Sequence, residues 1–246
     1  MSGEAAHACL FIVTVDCRVL DCESRLVDGM PILLTNRGTE ILVSAVALEA
    51  LRTQFAEQQY VRLGSLIEPS LLERIALEID KSQFHRHAHK KIGVELGMAA
   101  DSRPVHLLRL LANNSRLFKV VDQITSCGPI GCFDGRIYRM LSGPAHYDSW
   151  HDDLTSHRKV GMSINLSASP YQGGTFQLRN LTNGTEVHVA NIGCGDAILF
   201  QLGSHLKHRV TPVEGPLPKT AFAGWFCSEP EYRSLLRPQG VAQAAT

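Results

Sequence analysis

The spacing of apolar residues divides the chain into a helical part and a strand-rich part. Between residues 45 and 124, apolar side chains recur every three or four positions, the period of a helix with one buried face. Ser44 suits the N-cap of the first helix, and Pro69 fits the first turn of the second. The pattern predicts four helices, over residues 45–58, 69–79, 105–112 and 115–124, and a short strand at Tyr60–Leu63. The apolar side of the first helix is predicted to carry Val46, Leu48, Leu51 and Phe55.

Strands are predicted on both sides of this helical region. Apolar runs at residues 10–15 and 31–34, with turn residues between and after them, make residues 9–43 rich in β-structure. After Pro129, apolar and polar residues alternate in short segments separated by turns. These segments are residues 135–141, 160–167, 175–179, 186–189, 196–201, 206–213 and 220–227. So many short strands indicate a mainly β sandwich, barrel or jelly roll with flanking helices.

Composition and charge exclude several classes of protein. The 246 residues include 24 basic and 24 acidic side chains, so the formal net charge is zero with histidine neutral. A nucleic-acid-binding protein needs a basic surface to contact phosphates, so no nucleic-acid partner is expected. The one concentrated basic stretch, residues 84–91, is predicted to be a solvated helix end rather than a binding patch.

Neither a membrane segment nor a disulfide framework is expected. The apolar run at residues 9–15 is far shorter than the roughly 20 residues that span a bilayer. It also follows an acidic residue instead of the basic stretch of a signal peptide. The seven cysteines are odd in number and show no C-x2-C spacing. We therefore expect reduced thiols in a cytoplasmic protein.

The candidate chemistry lies around the segment YDSWHDD, residues 147–153. His151 and Asp153 are two residues apart, so on an extended chain their side chains point the same way. His208 follows in a later predicted strand. Two imidazoles and one carboxylate can occupy one face of an octahedral ion and leave three positions open, as non-haem Fe(II) oxygenases require. An isolated H-x-D arises easily by chance among 11 histidines and 24 acidic residues, so its surroundings decide its meaning.

Those surroundings form an ordered series of motifs. After H-x-D come a strand ending in Asn165-Leu166, GGTFQL at 173–178, GDAILF at 195–200, HRVTPV at 208–213, Lys219 and Trp225. In this order, residues from about 60 to 226 resemble the Fe(II)/2-oxoglutarate-dependent dioxygenases, specifically the prolyl-hydroxylase-like branch. The resemblance implies a double-stranded β-helix (a jelly roll, cupin-like), with Fe(II) as cofactor and 2-oxoglutarate and O2 as co-substrates. It divides the chain into an N-terminal β/α extension (1–58), an oxygenase domain (59–230) and a C-terminal tail (231–246).

The resemblance also implies metal ligands. His151, Asp153 and His208 match the ligand positions of the family, whereas Asp152 occupies the variable middle position of H-x-D. His205 competes for the distal ligand position because it lies only three residues before His208. His208 is preferred, since it alone begins the pattern H-x-V-x-P-V.

Lys219 resembles the basic residue that binds the far carboxylate of 2-oxoglutarate. A buried dianion needs a cation at its distal end to offset the cost of desolvation. Lys219 lies 11 residues after His208, slightly further than is usual in the family. Thr220 is expected to add a hydroxyl contact.

Two further co-substrate contacts follow from the resemblance. Many relatives carry a tyrosine near the position of Met140, and here Tyr138, on the same strand face, is the candidate for that hydroxyl or else a core residue. Asn165 stands where relatives often place another contact to 2-oxoglutarate.

Asp153 separates two reactions of the family. Relatives that halogenate have Gly or Ala in its place, so the resemblance implies hydroxylation of an unactivated C–H bond in an amino-acid, peptide or natural-product substrate, giving succinate and CO2. One alternative is an alkylated-nucleic-acid demethylase, but Lys219 stands where those relatives carry a two-arginine pattern. The other is a non-catalytic cupin-like binding or sensor protein, against which the intact triad speaks. The extension is expected either to pad the sheet or to help recognise a peptide or carrier-bound substrate.

Overall fold

The computed structural model describes residues 32–89, 93–155, 157–190 and 193–228, and this part of the chain forms four helices and fifteen strands. The helices are α1 (Ala45–Gln58), α2 (Pro69–Asp80), α3 (Arg103–Ala112) and α4 (Ser115–Thr125). The first strands are β1 (Ile32–Thr35), β2 (Gly38–Ile41), β3 (Tyr60–Leu63), β4 (Phe84–His89) and β5 (Gly93–Met98). Next come β6 (Cys132–Met140), β7 (Tyr147–Asp148), β8 (Arg158–Asn165), β9 (Gln172–Gly173) and β10 (Phe176–Asn180). The last are β11 (Glu186–Val189), β12 (Ala197–Gln201), β13 (Leu206–Val210), β14 (Val213–Glu214) and β15 (Lys219–Cys227).

Most strands belong to two antiparallel sheets. The larger has the order β3-β12-β8-β15-β6-β5-β4, with β7 also paired to β5, and the smaller has the order β11-β10-β13. The sheets pack together where Phe176 and Leu178 of the smaller contact Ile198 and Phe200 of the larger. The strands predicted after Pro129 are thus all present, with ends that differ by a few residues, and the mainly β architecture agrees with the predicted fold class.

The central strand β15 separates a hydrophobic core from an internal cavity. Phe222 and Phe226 are fully buried on one face of this strand and pack into the core beneath the helices. Ala221, Ala223 and Trp225 point to the other face and line the cavity. This alternation is the period of two that an extended strand imposes on its side chains.

The predicted helices are confirmed, with one correction to their packing. The Ser44 hydroxyl accepts a hydrogen bond from the backbone N–H of Ala47 at 3.1 Å, as an N-cap does. Phe55 of α1 is 4 % exposed, but Val46 is 82 % exposed, so Val46 was wrongly assigned to the buried side. The buried stripe of α1 lies near its C-terminal end, where the helix contacts the core.

Residues before the oxygenase-like region share its hydrophobic core. Ile32, Leu34 and Phe55 belong to the same buried cluster as Ile164 and Phe222. The backbone N–H of Leu34 also donates to the carbonyl of Leu66 at 2.7 Å. Residues 32–58 therefore pack into the body of the fold. The predicted strand at 10–15 and the predicted tail at 231–246 lie outside the described residues.

The basic stretch at residues 84–91 was wrongly predicted to be a helix end. Residues Phe84–His89 form β4, an edge strand that pairs antiparallel with β5 through six residue pairs. The stretch has too few apolar residues to show a strand period, because most of β4 is exposed. Long-range pairing with β5 decides its structure. Lys90 and Lys91 lie outside the described residues.

Membrane-spanning helices and disulfides were both not expected from the sequence. Among the described residues, no helix is long and apolar enough to cross a bilayer. The four cysteines of this region, Cys127, Cys132, Cys194 and Cys227, form no disulfide. Cys9, Cys17 and Cys22 lie outside the described residues.

Candidate metal centre and cavity

Backbone pairing brings the two candidate histidine ligands together. His151 follows the short strand β7, and its backbone forms a bridge with that of His208 in β13. The N–H of His151 donates to the carbonyl of His208 at 3.1 Å, and the N–H of His208 donates back at 2.8 Å. The centroids of the two imidazole rings are 4.3 Å apart. Residues 57 positions apart in the sequence thus face one point in the cavity.

Asp153 completes a cluster of donor atoms suited to a metal ion. Its Oδ2 lies 3.2 Å from Nε2 of His208 and 3.5 Å from Nε2 of His151. One donor atom from each of the three residues lies within 4.8 Å of the others. Nδ1 of His151 donates to the carbonyl of Ser149 at 2.6 Å, which leaves Nε2 directed at the cluster. Two imidazoles and one carboxylate fit Fe(II) and leave coordination positions for other ligands.

The electrostatics of the cluster favour an added positive charge. Burial alone would raise the pKa of Asp153, but hydrogen bonds from His151 and His208 outweigh it and hold that pKa well below its usual range. Burial alone would lower the pKa of His151, but Asp153 and Asp148 outweigh it and raise the pKa to about 9. Burial lowers the pKa of His208, which keeps its imidazole neutral and able to act as a ligand.

Trp225 and Arg158 support the carboxylate of Asp153 from outside the cluster. The indole Nε1 of Trp225 donates to Oδ2 of Asp153 at 3.0 Å. Nη1 of Arg158 lies 3.5 Å from Oδ1 and donates to the backbone carbonyl of Asp153 at 3.2 Å. The guanidinium carbon of Arg158 lies 3.4 Å from the centroid of the Trp225 ring. Asp153 has a positive φ of 56°, so these contacts hold a backbone conformation that non-glycine residues adopt only at a cost.

The two competing residues lie elsewhere. Asp152 forms an ion pair with Lys207 on the outside of the smaller sheet. His205 lies in the turn before β13, and the donor cluster found among the described residues does not include it. The structure therefore brings together the preferred set, His151, Asp153 and His208.

Lys219 lies at one end of the cavity as a buried cation. It is 6 % exposed, and its Nζ donates to the carbonyl of Gly174 at 2.9 Å. Among the described residues it forms no ion pair, so an anion at this end of the cavity would supply the missing counter-charge. A Cβ on Gly174 would lie 2.6 Å from the Tyr171 ring and 3.2 Å from Cδ of Lys219. The glycine thus leaves room for the lysine side chain to extend past Tyr171.

The other predicted co-substrate residues are placed differently from one another. Tyr138 and Asn165 both line the cavity. Asn165 already has backbone partners, since its Oδ1 accepts from the N–H of Ser167 at 3.1 Å and its Nδ2 donates to Gly193 at 3.3 Å. Thr220 points to the opposite face of β15 from Lys219, and its hydroxyl accepts from Arg139 Nε at 3.0 Å. The structure therefore does not bring Thr220 into the cavity, because neighbouring residues of a strand face opposite sides.

Sequence reasoning missed a second set of charged residues in the cavity, of about 420 Å³. Glu95 of β5, Arg136 of β6 and His89 of β4 line its wall. Arg136 shares a strand face with Tyr138, so the period of β6 could have indicated it. Glu95 could not be found in this way, because β5 itself was not predicted.

The family comparison was decisive for the class of protein. Residues 136–227, which contain the whole donor cluster and Lys219, match the model of the 2OG-Fe(II) oxygenase superfamily. This part of the chain is similar to a 2OG-Fe(II) oxygenase domain. The predicted resemblance is thus confirmed, and with it Fe(II) as cofactor and 2-oxoglutarate and O2 as co-substrates of the enzyme. No curated protein sequence matches the chain.

Solved structures support the fold of the oxygenase. A prolyl-4-hydroxylase from Pseudomonas putida matches with a TM-score of 0.56 and 18 % identity, over 73 % of this chain and 98 % of that one. An oxidoreductase of the 2OG-Fe(II) oxygenase family from Burkholderia pseudomallei matches with a TM-score of 0.59 and 16 % identity, over 80 % of this chain and 96 % of that one. A Trichoplax adhaerens prolyl hydroxylase, in complex with a hypoxia inducible factor peptide fragment, matches with a TM-score of 0.53 and 16 % identity. This match covers 78 % of this chain and 93 % of that one. These likenesses confirm the predicted double-stranded β-helix.

Proposed function

We propose that this oxygenase hydroxylates an unactivated C–H bond of an amino-acid, peptide or natural-product substrate, with 2-oxoglutarate converted to succinate and CO2. The observation that carries the proposal is the placement of two complementary sites in one cavity: a His-Asp-His donor cluster and, at one end, a buried lysine without an anionic partner among the described residues. An iron ligand set alone would fit a binding protein, but the lysine adds a site for a second, anionic reactant.

In this proposal, His151, Asp153 and His208 hold Fe(II), and Lys219 binds the far carboxylate of 2-oxoglutarate. Tyr138 and Asn165 line the cavity and contribute further contacts to the co-substrate. The bound iron and 2-oxoglutarate supply the oxidising chemistry. The protein contributes by placing the reactants and excluding water from a cavity whose walls include Met140, Ala221 and other apolar side chains.

The carboxylate of Asp153 supports hydroxylation over halogenation. A halide ligand needs a metal position that Asp153 would occupy, and the hydrogen bond from Trp225 holds the carboxylate at the donor cluster. We also propose a cytoplasmic enzyme whose partner is a small molecule or peptide and not a nucleic acid. The zero formal net charge supports a partner other than nucleic acid, because phosphate binding needs a basic surface.

The first prediction compares two histidines three residues apart. Purified protein with Fe(II) should convert 2-oxoglutarate to succinate slowly even without substrate. His208→Ala should abolish this turnover, because it removes a donor atom from the metal cluster. His205→Ala is the matched control and should retain it, since His205 lies outside the cluster. Succinate is measured by mass spectrometry with and without Fe(II).

The outcomes discriminate between the candidates. Loss of turnover in His205→Ala with retention in His208→Ala would move the distal ligand to His205. Absence of iron-dependent succinate in the wild-type protein would favour the non-catalytic binding or sensor alternative.

A further inference from the structure

Three strands bring a second charged cluster to the cavity wall. Nε of Arg136 in β6 donates to Oε1 of Glu95 in β5 at 2.8 Å. Nε2 of His89, at the end of β4, lies 3.2 Å from Nη2 of Arg136 and 3.3 Å from Oε1 of Glu95. All three residues line the cavity. The proposed metal and co-substrate sites use none of them.

The outer end of the Arg136 guanidinium remains available. Glu95 and His89 take one edge of the group, through Nε and Nη2. Nη1 has no hydrogen-bond partner among the described residues, and the Arg136 side chain, which lines the cavity, is 35 % exposed. Glu95, whose side chain is only 10 % exposed, fixes the direction of the guanidinium. Planar guanidinium ends of this kind bind carboxylates with two parallel hydrogen bonds.

Arg136 and Lys219 occupy different positions along the cavity wall. In the register of β15 and β6, Lys219 pairs with Met140, and Ala223 pairs with Arg136. Four residues of extended strand therefore separate the two positions, a distance of roughly 13 Å at the usual rise per residue. The backbone of Arg136 is thus offset along the sheet from that of Lys219, the cation proposed for 2-oxoglutarate. Arg136 is therefore a candidate contact for an anionic group of a different molecule.

A second guanidinium contacts the same tryptophan ring as Arg136. The guanidinium carbons of Arg136 and Arg158 lie 5.9 Å and 3.4 Å from the centroid of the same Trp225 ring. Among the described residues, the polar contacts of the Arg158 guanidinium are made by Nη1 to Asp153. Trp225 itself donates to Asp153. Arg136 is therefore separated from the Asp153 carboxylate of the candidate iron site by the Trp225 side chain, which contacts both.

We propose that Arg136 binds a carboxylate of the substrate, so that the molecule hydroxylated is a carboxylic acid. This inference rests on the proposed function and narrows its substrate class. Glu95 acts as a positioning residue, because it directs the guanidinium without touching the substrate. The carboxylate belongs either to a free amino acid or to an acidic side chain of a peptide.

The test is an equilibrium binding measurement that needs no turnover. The protein is loaded with redox-inert Zn(II) and saturating 2-oxoglutarate, and probes are titrated by calorimetry. One set consists of the free L-amino acids and their carboxamides. The other consists of short peptides with blocked ends that contain Asp or Glu, each matched by the Asn or Gln form. At least one acid should bind, with its uncharged partner at least tenfold weaker, and the set in which it is found identifies the source of the carboxylate.

Variants test whether Arg136 causes the preference for the acid over its amide. In the double variant Glu95→Gln/Arg136→Gln, which leaves no buried carboxylate without its cation, acid and amide should bind equally within twofold. Arg139→Gln is the matched control: it lies on the opposite face of β6, where its guanidinium covers Phe84, and should keep the full preference. Arg136→Lys should restore part of the preference, since it returns the charge without the planar end.

Several results would overturn the inference. These are equal binding of acid and amide by the wild-type protein, an unchanged preference in the double variant, or no binding by any acid while Fe(II)-loaded protein still converts 2-oxoglutarate to succinate. The last result would leave the proposed function intact. Failure of the proposed function is recognised separately, by the absence of succinate from the Fe(II)-loaded wild-type protein.

Discussion

At the residue scale, Lys219 shows how burial and charge are balanced in the cavity. Burial lowers the pKa of its ammonium group to about 8, so the lysine is mostly charged at neutral pH and increasingly neutral above pH 8. A carboxylate bound beside it would raise that pKa again, because each charge stabilises the other. By the same linkage, a dianionic co-substrate binds well below the free pKa of Lys219 and loses affinity as pH rises through about 8.

The second prediction follows from this balance. Lys219→Met should raise the KM for 2-oxoglutarate strongly, because the far carboxylate loses its cation inside the protein. Breaking such a buried pair costs about 3–5 kcal/mol, which corresponds to roughly two to four orders of magnitude in KM. In the wild-type enzyme, KM should also rise as pH increases from 7 to 9. Both are measured from succinate formation at varied 2-oxoglutarate concentration.

Lys219→Arg is the control for the charge. An arginine stays protonated throughout this range, so its KM should not rise with pH. A KM unaltered by Lys219→Met would move the carboxylate contact elsewhere. Arg139 and Arg179 do not line the cavity, which leaves Arg136 and Arg158 as the remaining arginines there.

The residues that sequence reasoning predicted best are those inside ordered motifs. His208 and Lys219 lie in or beside such motifs, and the structure places both at the cavity. Thr220 was misplaced because adjacency in sequence was taken for adjacency in space, whereas β15 already begins at Lys219 and alternates its side chains. The contact between Arg136 and Glu95 depends on the pairing of β5 with β6, which no local pattern of residues specifies.

At the element scale, the segment that carries His151 is fixed from the outside of the smaller sheet. The centroid of the Trp150 ring lies near two guanidinium carbons, 4.1 Å from that of Arg179 in β10 and 4.6 Å from that of Arg209 in β13. Arg179 is held by Glu186 at 2.8 Å, and Arg209 by Gln177 at 2.6 Å. The segment between β7 and Asp153 is otherwise irregular, so this stacking anchors it to regular strands.

The third prediction tests this anchoring. Trp150→Ala should lower the affinity for a divalent ion about tenfold, because residues that orient ligands commonly contribute that much to metal binding. Trp150→Phe keeps an aromatic ring near the arginines and should stay within about threefold of wild type. Zn(II) binding measured by calorimetry gives the affinities without relying on turnover. Wild-type affinity in Trp150→Ala would show that the bridge between His151 and His208 suffices alone.

Elements were predictable where their apolar period is strong and local. Helix α2 buries Leu71, Ile75 and Ile79 at helical spacing, and its predicted start at Pro69 is observed. The pair β4 and β5 was missed, because β4 is an exposed edge strand of histidines and arginine with no apolar alternation. Its conformation comes from its antiparallel hydrogen bonding to β5.

At the scale of the whole molecule, one hydrophobic core joins parts of the chain that the sequence resemblance separates. Leu34 and Phe55, 0 % and 4 % exposed, lie before residue 59 yet belong to the cluster formed by α2, α3, α4 and the larger sheet. The domain boundary after residue 58, which the family resemblance implies, stays a prediction. The packing indicates that residues 32–58 belong to the same folding unit as the rest of the described chain. Apolar content alone could not show this, because the same residues would also suit a separate surface for substrate recognition.

The fourth prediction is that removing residues 1–56 destabilises the fold. A chain that starts at Glu57 loses β1, β2 and most of α1, and with them the side chains of Leu34 and Phe55. Uncovering this part of the core should make the shortened protein insoluble or unfolded.

In the full chain, Phe55→Ala should lower the free energy of unfolding by about 3–5 kcal/mol, the usual cost of removing a buried aromatic ring. Val46→Ala, in the same helix but 82 % exposed, is the control and should stay within about 0.5 kcal/mol. Urea denaturation followed by circular dichroism gives both values. A shortened chain that folds and forms succinate, yet no longer hydroxylates a substrate that the full chain accepts, would instead assign residues 1–56 to substrate recognition.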